Sequence, residues 1–201
     1  MGDSETSALI EIGAIPAADR EGAAELIIEA LPGFYGQAQL RPAMISAVGS
    51  TLGQVGTDTA AGFAAGSGQG VRGVLTYARA DKLDLARLGG VQQLLRALDP
   101  ASRRLFREHL REYDADFAAA PSGTCYLSRL AVRTEARGSG LAERMMRHWI
   151  QQVDLDYEDG FSLHVDRSNF RAIRFYERLG FEDNLKEGKF LLLTRAGGDS
   201  R

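Results

Sequence analysis

The sequence predicts an α/β domain in which helices pack on a central sheet, and three observations carry this. Residues 124–132 read as a strand, turn through Arg137-Gly138-Ser139-Gly140-Leu141-Ala142, and continue into a helix-like run over 141–153. Strand patterns recur on both sides of this unit, at 8–15, 60–65, 71–80, 161–166 and 189–195. Between them lie stretches whose apolar residues repeat at helical spacing, at 21–31, 91–98 and 105–113.

The elements follow in order. After the strand at 8–15, Asp19 is placed to cap a helix over 21–31 with Ala24, Ile27, Ile28 and Leu31 as its apolar stripe. Pro32-Gly33 stops that helix, and Phe34-Tyr35-Gly36 reads as loop. Pro42 opens a second, short helix carrying Met44, Ile45, Val48 and Leu52. The strands at 60–65 and 71–80 flank a glycine-rich turn. Its Gly68-Gln69-Gly70-Val71-Arg72-Gly73 matches a dinucleotide fingerprint in letters only, because it leads into a strand where such a turn must open a helix. A hairpin turn explains those glycines.

Residues 81–120 read as two helices. Val91, Leu94, Leu95 and Leu98 mark the first; Asp99 as cap and Pro100 at the first helical position open the second. On the second, Leu105, Phe106, Leu110 and Tyr113 take one side. Arg103, Arg104, Arg107, Glu108, Arg111 and Glu112 take the other, a solvated charged face by default. Phe190-Leu191-Leu192-Leu193 in the last strand is apolar on both faces, as a strand inside a sheet should be. The tail at 196–201 is expected to fray.

The bulk numbers bound the function. The 201 residues suit one domain, or one domain with an insertion, and 44% apolar residues support a sizeable core. The net charge of −3 is well mixed, which argues against nucleic acid as a partner. No apolar run reaches the length of a membrane span, and no secretory signal opens the chain. Cys125 stands alone, so no internal disulfide forms. A soluble cytoplasmic protein is the expectation.

The turn at 137–142 has the makings of an anion cradle. The first turn of a helix presents backbone N–H groups without intrahelical partners, and the helix dipole adds partial positive charge. Gly138 and Gly140 let a phosphate approach the backbone, and Arg137 offers a forked donor. The alternative is a turn that simply joins strand to helix. A Walker loop is excluded, because no Gly-Lys-Ser/Thr follows.

A second segment stands downstream. The strand at 161–166 runs into Ser168-Asn169-Phe170-Arg171-Ala172-Ile173-Arg174-Phe175-Tyr176-Glu177-Arg178-Leu179-Gly180-Phe181. Ser168 as N-cap and Gly180 just past the end delimit a helix of about three turns. Tyr176 shares a face with Asn169, and the small Ala172 lets a ligand or strand pack close. Tyr176 reads either as a core aromatic or as a functional phenol.

These two segments together resemble the GNAT superfamily of acyl-CoA-dependent N-acetyltransferases. Arg137, Gly140 and Ala142 occupy the specified places of its pyrophosphate loop, Gln/Arg-x-x-Gly-x-Gly/Ala. Asn169, Ala172, Phe175, Tyr176, Gly180 and Phe181 match its later Asn-x-x-Ala-x-x-Phe-Tyr-x-x-x-Gly-Phe. The motifs stand in family order and cover the C-terminal third of the chain.

The resemblance implies a mixed, mostly antiparallel central sheet flanked by helices, with one splayed strand pair. It makes 81–120 a helical insertion within a single domain over 1–201. It also implies transfer of an acetyl group from acetyl-CoA directly to a primary amine of a small molecule or peptide, without a metal. The backbone of Leu130, Ala131 and Val132 would pair with the pantetheine arm, so substitution of Ala131 is expected to matter little. Arg137, Gly138, Ser139, Gly140, Leu141 and Ala142 would hold the pyrophosphate. Asn169, Ala172, Phe175 and Tyr176 would complete the cofactor site, with Asn169 serving either as a ligand or as a helix cap. Tyr176 is the candidate general acid, since a phenol of pKa near 10 is protonated at neutral pH.

The general base is left among Tyr126, Ser128, a water and a carboxylate from the first hundred residues. Tyr35 and the stretch 44–48 are acceptor-site candidates, with plain packing as the alternative. The insertion either covers the acceptor site or dimerises through its apolar side. Cys125 is read as strand packing rather than as a nucleophile. His109, His148 and His164 lack metal spacing, and His148 is expected at the surface. The competing functions are a non-catalytic acyl-CoA-binding regulatory module and an acyltransferase for longer acyl-CoA.

Overall fold

A computed structural model describes residues 11–35, 38–67, 70–112, 117–153, 157, 159–185 and 188–198. Its centre is a 7-stranded sheet. In chain order the strands are β1 (Glu11–Ala14), β2 (Ala61–Ser67), β3 (Gly70–Arg79), β4 (Cys125–Val132), β5 (Phe161–Asp166), β6 (Glu182–Leu185) and β7 (Phe190–Arg195). Their order in space is β1-β2-β3-β4-β5-β7-β6. Every neighbouring pair is antiparallel except β4 and β5. The parallel pair needs a crossover, and the turn at 137–142 with its following helix supplies it.

The α-helices are α1 (Arg20–Ala30), α2 (Pro32–Tyr35), α3 (Arg41–Thr51), α4 (Leu83–Ala97), α5 (Pro100–Glu112), α6 (Leu141–Val153) and α7 (Phe170–Arg178). One face of the sheet is covered by α1, α3, α4 and α5. Ala23, Leu26, Ile27, Met44, Val48, Val74, Leu94 and Phe106 form a single apolar cluster there. The other face carries α6 and α7. Leu141, Met145, Trp149 and Val153, each one turn after the last, bury one stripe of α6 against Leu75, Leu127, Phe161 and Leu163. Each such side chain contributes about 1.5–3 kcal/mol by leaving water.

The expected elements are found, with corrections. Residues 8–10, Gly36, Gly68 and Gln69 of the hairpin turn, Tyr113 and 199–201 lie outside the described residues. Asp19 stands at the start of α1, but its side chain makes no capping bond. Pro32 does not lead into loop: Phe34 and Tyr35 donate backbone bonds to the Leu31 carbonyl, closing the short α2. Helix α4 begins at Leu83, a full two turns before the apolar spacing at 91–98 suggested. The edge strand β6 has no apolar alternation and escaped the sequence reading; its register on β7 holds it. His148 is half-buried, edge-on to Phe63 with ring centroids 4.7 Å apart, rather than at the surface.

The Asp99 expectation is met in atomic detail. Its Oδ1 accepts from the backbone N–H of Ala101 and Ser102 at 2.9 and 3.1 Å. Phe106 on α5 is buried in the chain's own core, and Leu105 and Leu110 pack against it partly buried. The His109 Nε2–H donates toward the Gly33 and Phe34 carbonyls, 2.9 Å from each, and ties α5 to α2. Among the described residues no helix is long and apolar enough to cross a membrane.

Candidate active site

Strands β4 and β5 run side by side only briefly. Their register pairs Cys125 with Phe161, Tyr126 with Ser162 and Leu127 with Leu163, and there the pairing stops. Beyond it β4 still pairs with β3, Leu130 on Leu75, Ala131 on Val74 and Val132 on Gly73. The backbone of β4 at 128–132 is therefore open on its β5 side. Such an edge is a template for an extended ligand.

Strand β4 also bulges. Arg129 pairs with Thr76 and Leu127 with Tyr77, so Ser128 is an extra residue between them. Strict alternation would send Tyr126 and Arg129 to opposite faces. The bulge turns both toward the α1–α4 side, where they line a cleft of about 820 Å³. The cleft runs from α1, α2 and α4, across the splayed β4 and β5, to Asn169, Ala172 and Tyr176 of the α7 region.

Two polar groupings occupy its wall. In the first, Arg129 Nη2 lies 3.1 Å from Asp58 Oδ2, and both side chains are nearly buried, 15% and 7% exposed. Burial opposes the Arg129 charge. Asp58 and the hydroxyl of Tyr35 outweigh that, so its pKa rises above the ordinary arginine value. The loop bearing Asp58 is tied down by the Thr59 hydroxyl, which donates to the Thr51 carbonyl and hydroxyl at 3.2 and 3.1 Å. The Thr57 hydroxyl adds a 2.8 Å bond to the Gln54 carbonyl.

In the second grouping, Arg87 Nη2 donates to the Tyr126 hydroxyl at 2.9 Å. That hydroxyl lies 3.0 Å from His164 Nδ1. A guanidinium only donates, so Tyr126 accepts from Arg87 and passes its own proton toward Nδ1. This assigns the His164 proton to Nε2. Burial first and Arg87 second lower the His164 pKa to about 4, against a small upward pull from the Ala118 carbonyl, so the ring is neutral at pH 7. Burial raises the Tyr126 pKa despite the opposing pull of Arg87 and Arg129.

Helix α7 presents Tyr176. The helix starts from Asn169, whose side chain accepts from the Ala172 N–H at 3.1 Å. Ser168 is not the cap: its N–H and hydroxyl both donate to Asp166 Oδ1. The other end closes as expected at Gly180, with φ +82°. There the Phe181 N–H reaches the Tyr176 carbonyl and the Gly180 N–H the Glu177 carbonyl, a Schellman pair. The Tyr176 phenol borders the cleft, and its pKa is raised, by burial first and by neighbouring Tyr126 second.

The loop after β4 lies beyond the cleft's lining. Arg137, Gly138, Ser139 and Gly140 are exposed; both glycines have positive φ, +80° and +78°. The first bond of α6 is from the Arg144 N–H to the Gly140 carbonyl, which leaves the amides of Leu141, Ala142 and Glu143 outside the helical ladder. Leu141 itself is core, so only its backbone is on offer.

The remaining candidates divide. Leu130 and Ala131 line the cleft, while Val132 sits just past it and Phe175 packs on the α6 side against Tyr176. Tyr35 is in the cleft wall. Met44 and Val48 are buried in the core, so the stretch 44–48 does not reach the cleft. Tyr126, Ser128 and one carboxylate of the first hundred residues that is buried, Asp58, are together on the wall; Cys125 faces the α6 core instead. Among the described residues no three His, Cys, Asp or Glu gather as a metal site. Arg87, Asp58 and Arg129 were missed as a group, because only the fold brings them together. An Arg on the inner side of the 83–97 helix was the one available signal.

Residues 97–181 match the family model described as Acetyltransferase (GNAT) family. No match is found among the curated proteins. The fold superposes on an N-acetyltransferase of Staphylococcus aureus Mu50 with TM-score 0.70 and 15% identity, covering 92% of this chain and 99% of that one. A PaiA N-acetyltransferase from Thermoplasma acidophilum, solved with coenzyme A, superposes with TM-score 0.55 and 11% identity over 93% of this chain and 98% of that one. The ribosomal-protein-S18-alanine N-acetyltransferase from Escherichia coli does so at 0.54 and 14%, over 96% and 99%. Residues 97–181 thus match the acetyltransferase (GNAT) family, and the sheet as a whole is built on the same plan as the solved N-acetyltransferase structures.

Proposed function

We propose that this protein moves an acetyl group from acetyl-CoA directly to a primary amine, in the cytoplasm, with residues 1–201 as one domain and 81–120 as an insertion that walls the acceptor side. The observation that carries this is the open edge of β4 at 128–132, facing Tyr176 across a cleft.

In this reading, Leu130, Ala131 and Val132 pair through their backbone with the pantetheine arm. The pyrophosphate sits at 137–142, on the free amides that begin α6, with Arg137 as a charged donor. Asn169 caps α7 and Ala172 leaves room beside it. Phe175 supports the Tyr176 ring. The thioester carbon then lies between β4 and Tyr176. The amine attacks that carbon, the C–S bond breaks, and Tyr176 gives its proton to the departing sulfur. The burial that raises the phenol pKa also raises the proton affinity of the thiolate, so the transfer stays feasible. A proton leaving the amine has the Asp58 carboxylate as a buried acceptor on the same wall.

Calorimetry with acetyl-CoA tests the reading first. Micromolar binding displaced by free CoA, followed by thiol release with amines, supports it. A well-folded sample that binds no acetyl-CoA sinks it.

A further inference from the structure

We propose that the acceptor is a primary amine that also carries a carboxylate, of the amino-acid type, and that Arg87 holds the carboxylate. This rests on the transferase reading of the same cleft and goes on to name the acceptor class.

Arg87 has the build of an anion receptor. Its guanidinium carbon lies 4.7 Å from the ring centre of Phe117 and 5.2 Å from that of Tyr126, which hold it between them. One N–H is used on the Tyr126 hydroxyl. Among the described residues the carboxylate paired with Arg87 is Asp84, 4.0 Å away and fully exposed, so it screens Arg87 only weakly. A pinned planar fork with free N–H groups suits a carboxylate, and it loses little entropy on binding one.

The charges around it agree. Inside the cleft two cations, Arg87 and Arg129, face one anion, Asp58, which Arg129 already pairs. At the rim, Asp84 and Lys189 are exposed, and Asp166 is occupied by two bonds from Ser168. Over the whole lining the charges balance, Arg87, Arg129 and Lys189 against Asp58, Asp84 and Asp166, and the single excess positive charge of the inner wall is that of Arg87. A dication or polyamine is disfavoured there. A zwitterion is accommodated, and the positive wall also favours the uncharged amine that the chemistry needs.

The unused polar atoms point the same way. Ser128 Oγ and Arg129 Nε are buried on this wall without hydrogen-bond partners, and both can donate. A wall with surplus donors asks for a ligand rich in acceptors. Arg87 and Tyr176 both flank Tyr126, so a carboxylate at one and an amine at the other belong to a small molecule. Both Arg87 and Phe117 come from 81–120, which gives that segment a role in specificity.

The test pairs each standard amino acid with its decarboxylated amine. Acetyl-CoA turnover is followed by thiol release. The expected result is at least one amino acid with kcat/KM tenfold or more above its amine partner. Arg87→Met then raises KM for that amino acid at least tenfold, keeps kcat and acetyl-CoA affinity within about threefold, and leaves the amine partner unmoved. Arg87→Lys, which keeps charge without the fork, falls between and covers poor folding of the first variant. Three results overturn the proposal: amines used as well as amino acids, Arg87→Met harming both alike, or no amino acid acetylated by protein that binds acetyl-CoA. Failure to bind acetyl-CoA at all would instead sink the transferase reading, and this proposal with it.

Discussion

Tyr126 and Arg129 stand three residues apart on one strand yet face the same cleft, because β4 bulges at Ser128. The bulge brings the Arg87–Tyr126–His164 chain beside the Asp58–Arg129 pair. It also marks where β4 parts from β5, so backbone edge and polar wall arise at one place.

Tyr176→Phe should lower kcat by about 10²-fold or more, the range for losing a positioned general acid. The acetyl-CoA affinity should change little, since the ring and its contacts with Phe175 and Phe181 survive. Steady-state kinetics with separate acetyl-CoA binding decide this. A kcat equal to the parent's removes Tyr176 from the mechanism.

Gly140→Ala should weaken acetyl-CoA binding through the backbone. A Cβ there meets nothing within 4 Å, but φ is +78°, where an L side chain costs about 1–2 kcal/mol. The loop should therefore relax away from its cradle shape without a clash. Arg137→Ala should cost about tenfold in affinity by losing a charged donor, with Tm unchanged because the residue is exposed. Calorimetry and thermal melts separate the two effects.

The Asp58–Arg129 pair should be strongly coupled. Arg129→Met alone leaves a buried carboxylate and should destabilise by about 3–5 kcal/mol. Asp58→Leu alone strands the cation similarly. The double variant should lose clearly less than the sum. Urea denaturation of the four proteins measures the difference, and strict additivity would refute the coupling.

His164 should make the protein acid-sensitive. Its folded pKa is near 4 and its unfolded value near 6.5. Between these values the unfolded chain binds a proton that the folded one refuses, so stability falls as pH drops from 6.5 toward 4 and is level in this respect above 6.5. His164→Gln should flatten that part of the profile. Denaturation midpoints of both proteins at pH 7 and pH 5 check it.

Much of the fold was legible along the chain. Helix α6 runs over the predicted 141–153, strand β5 over 161–166, and Gly180 ends α7 as expected. These elements follow from short-range causes: the spacing of apolar residues, a glycine at positive φ, a proline at a helix start. Local competition explains the misses. Asn169 rather than Ser168 caps α7, because Asp166 claims the Ser168 N–H and hydroxyl. Strand β6 forms on a polar sequence because β7 offers it an edge.

The order of the two motifs, the turn at 137–142 and Tyr176 on its helix were thus determined by the sequence itself, since each depends on residues within a few turns of one another. The tertiary structure alone decided where β4 leaves β5, that Ser128 bulges, and that Arg87 and Asp58 meet Tyr126 and Arg129 on one wall. Arg87 is 39 residues from Tyr126 in the chain. Contacts at that separation are set by sheet register and helix packing, which no local spacing encodes.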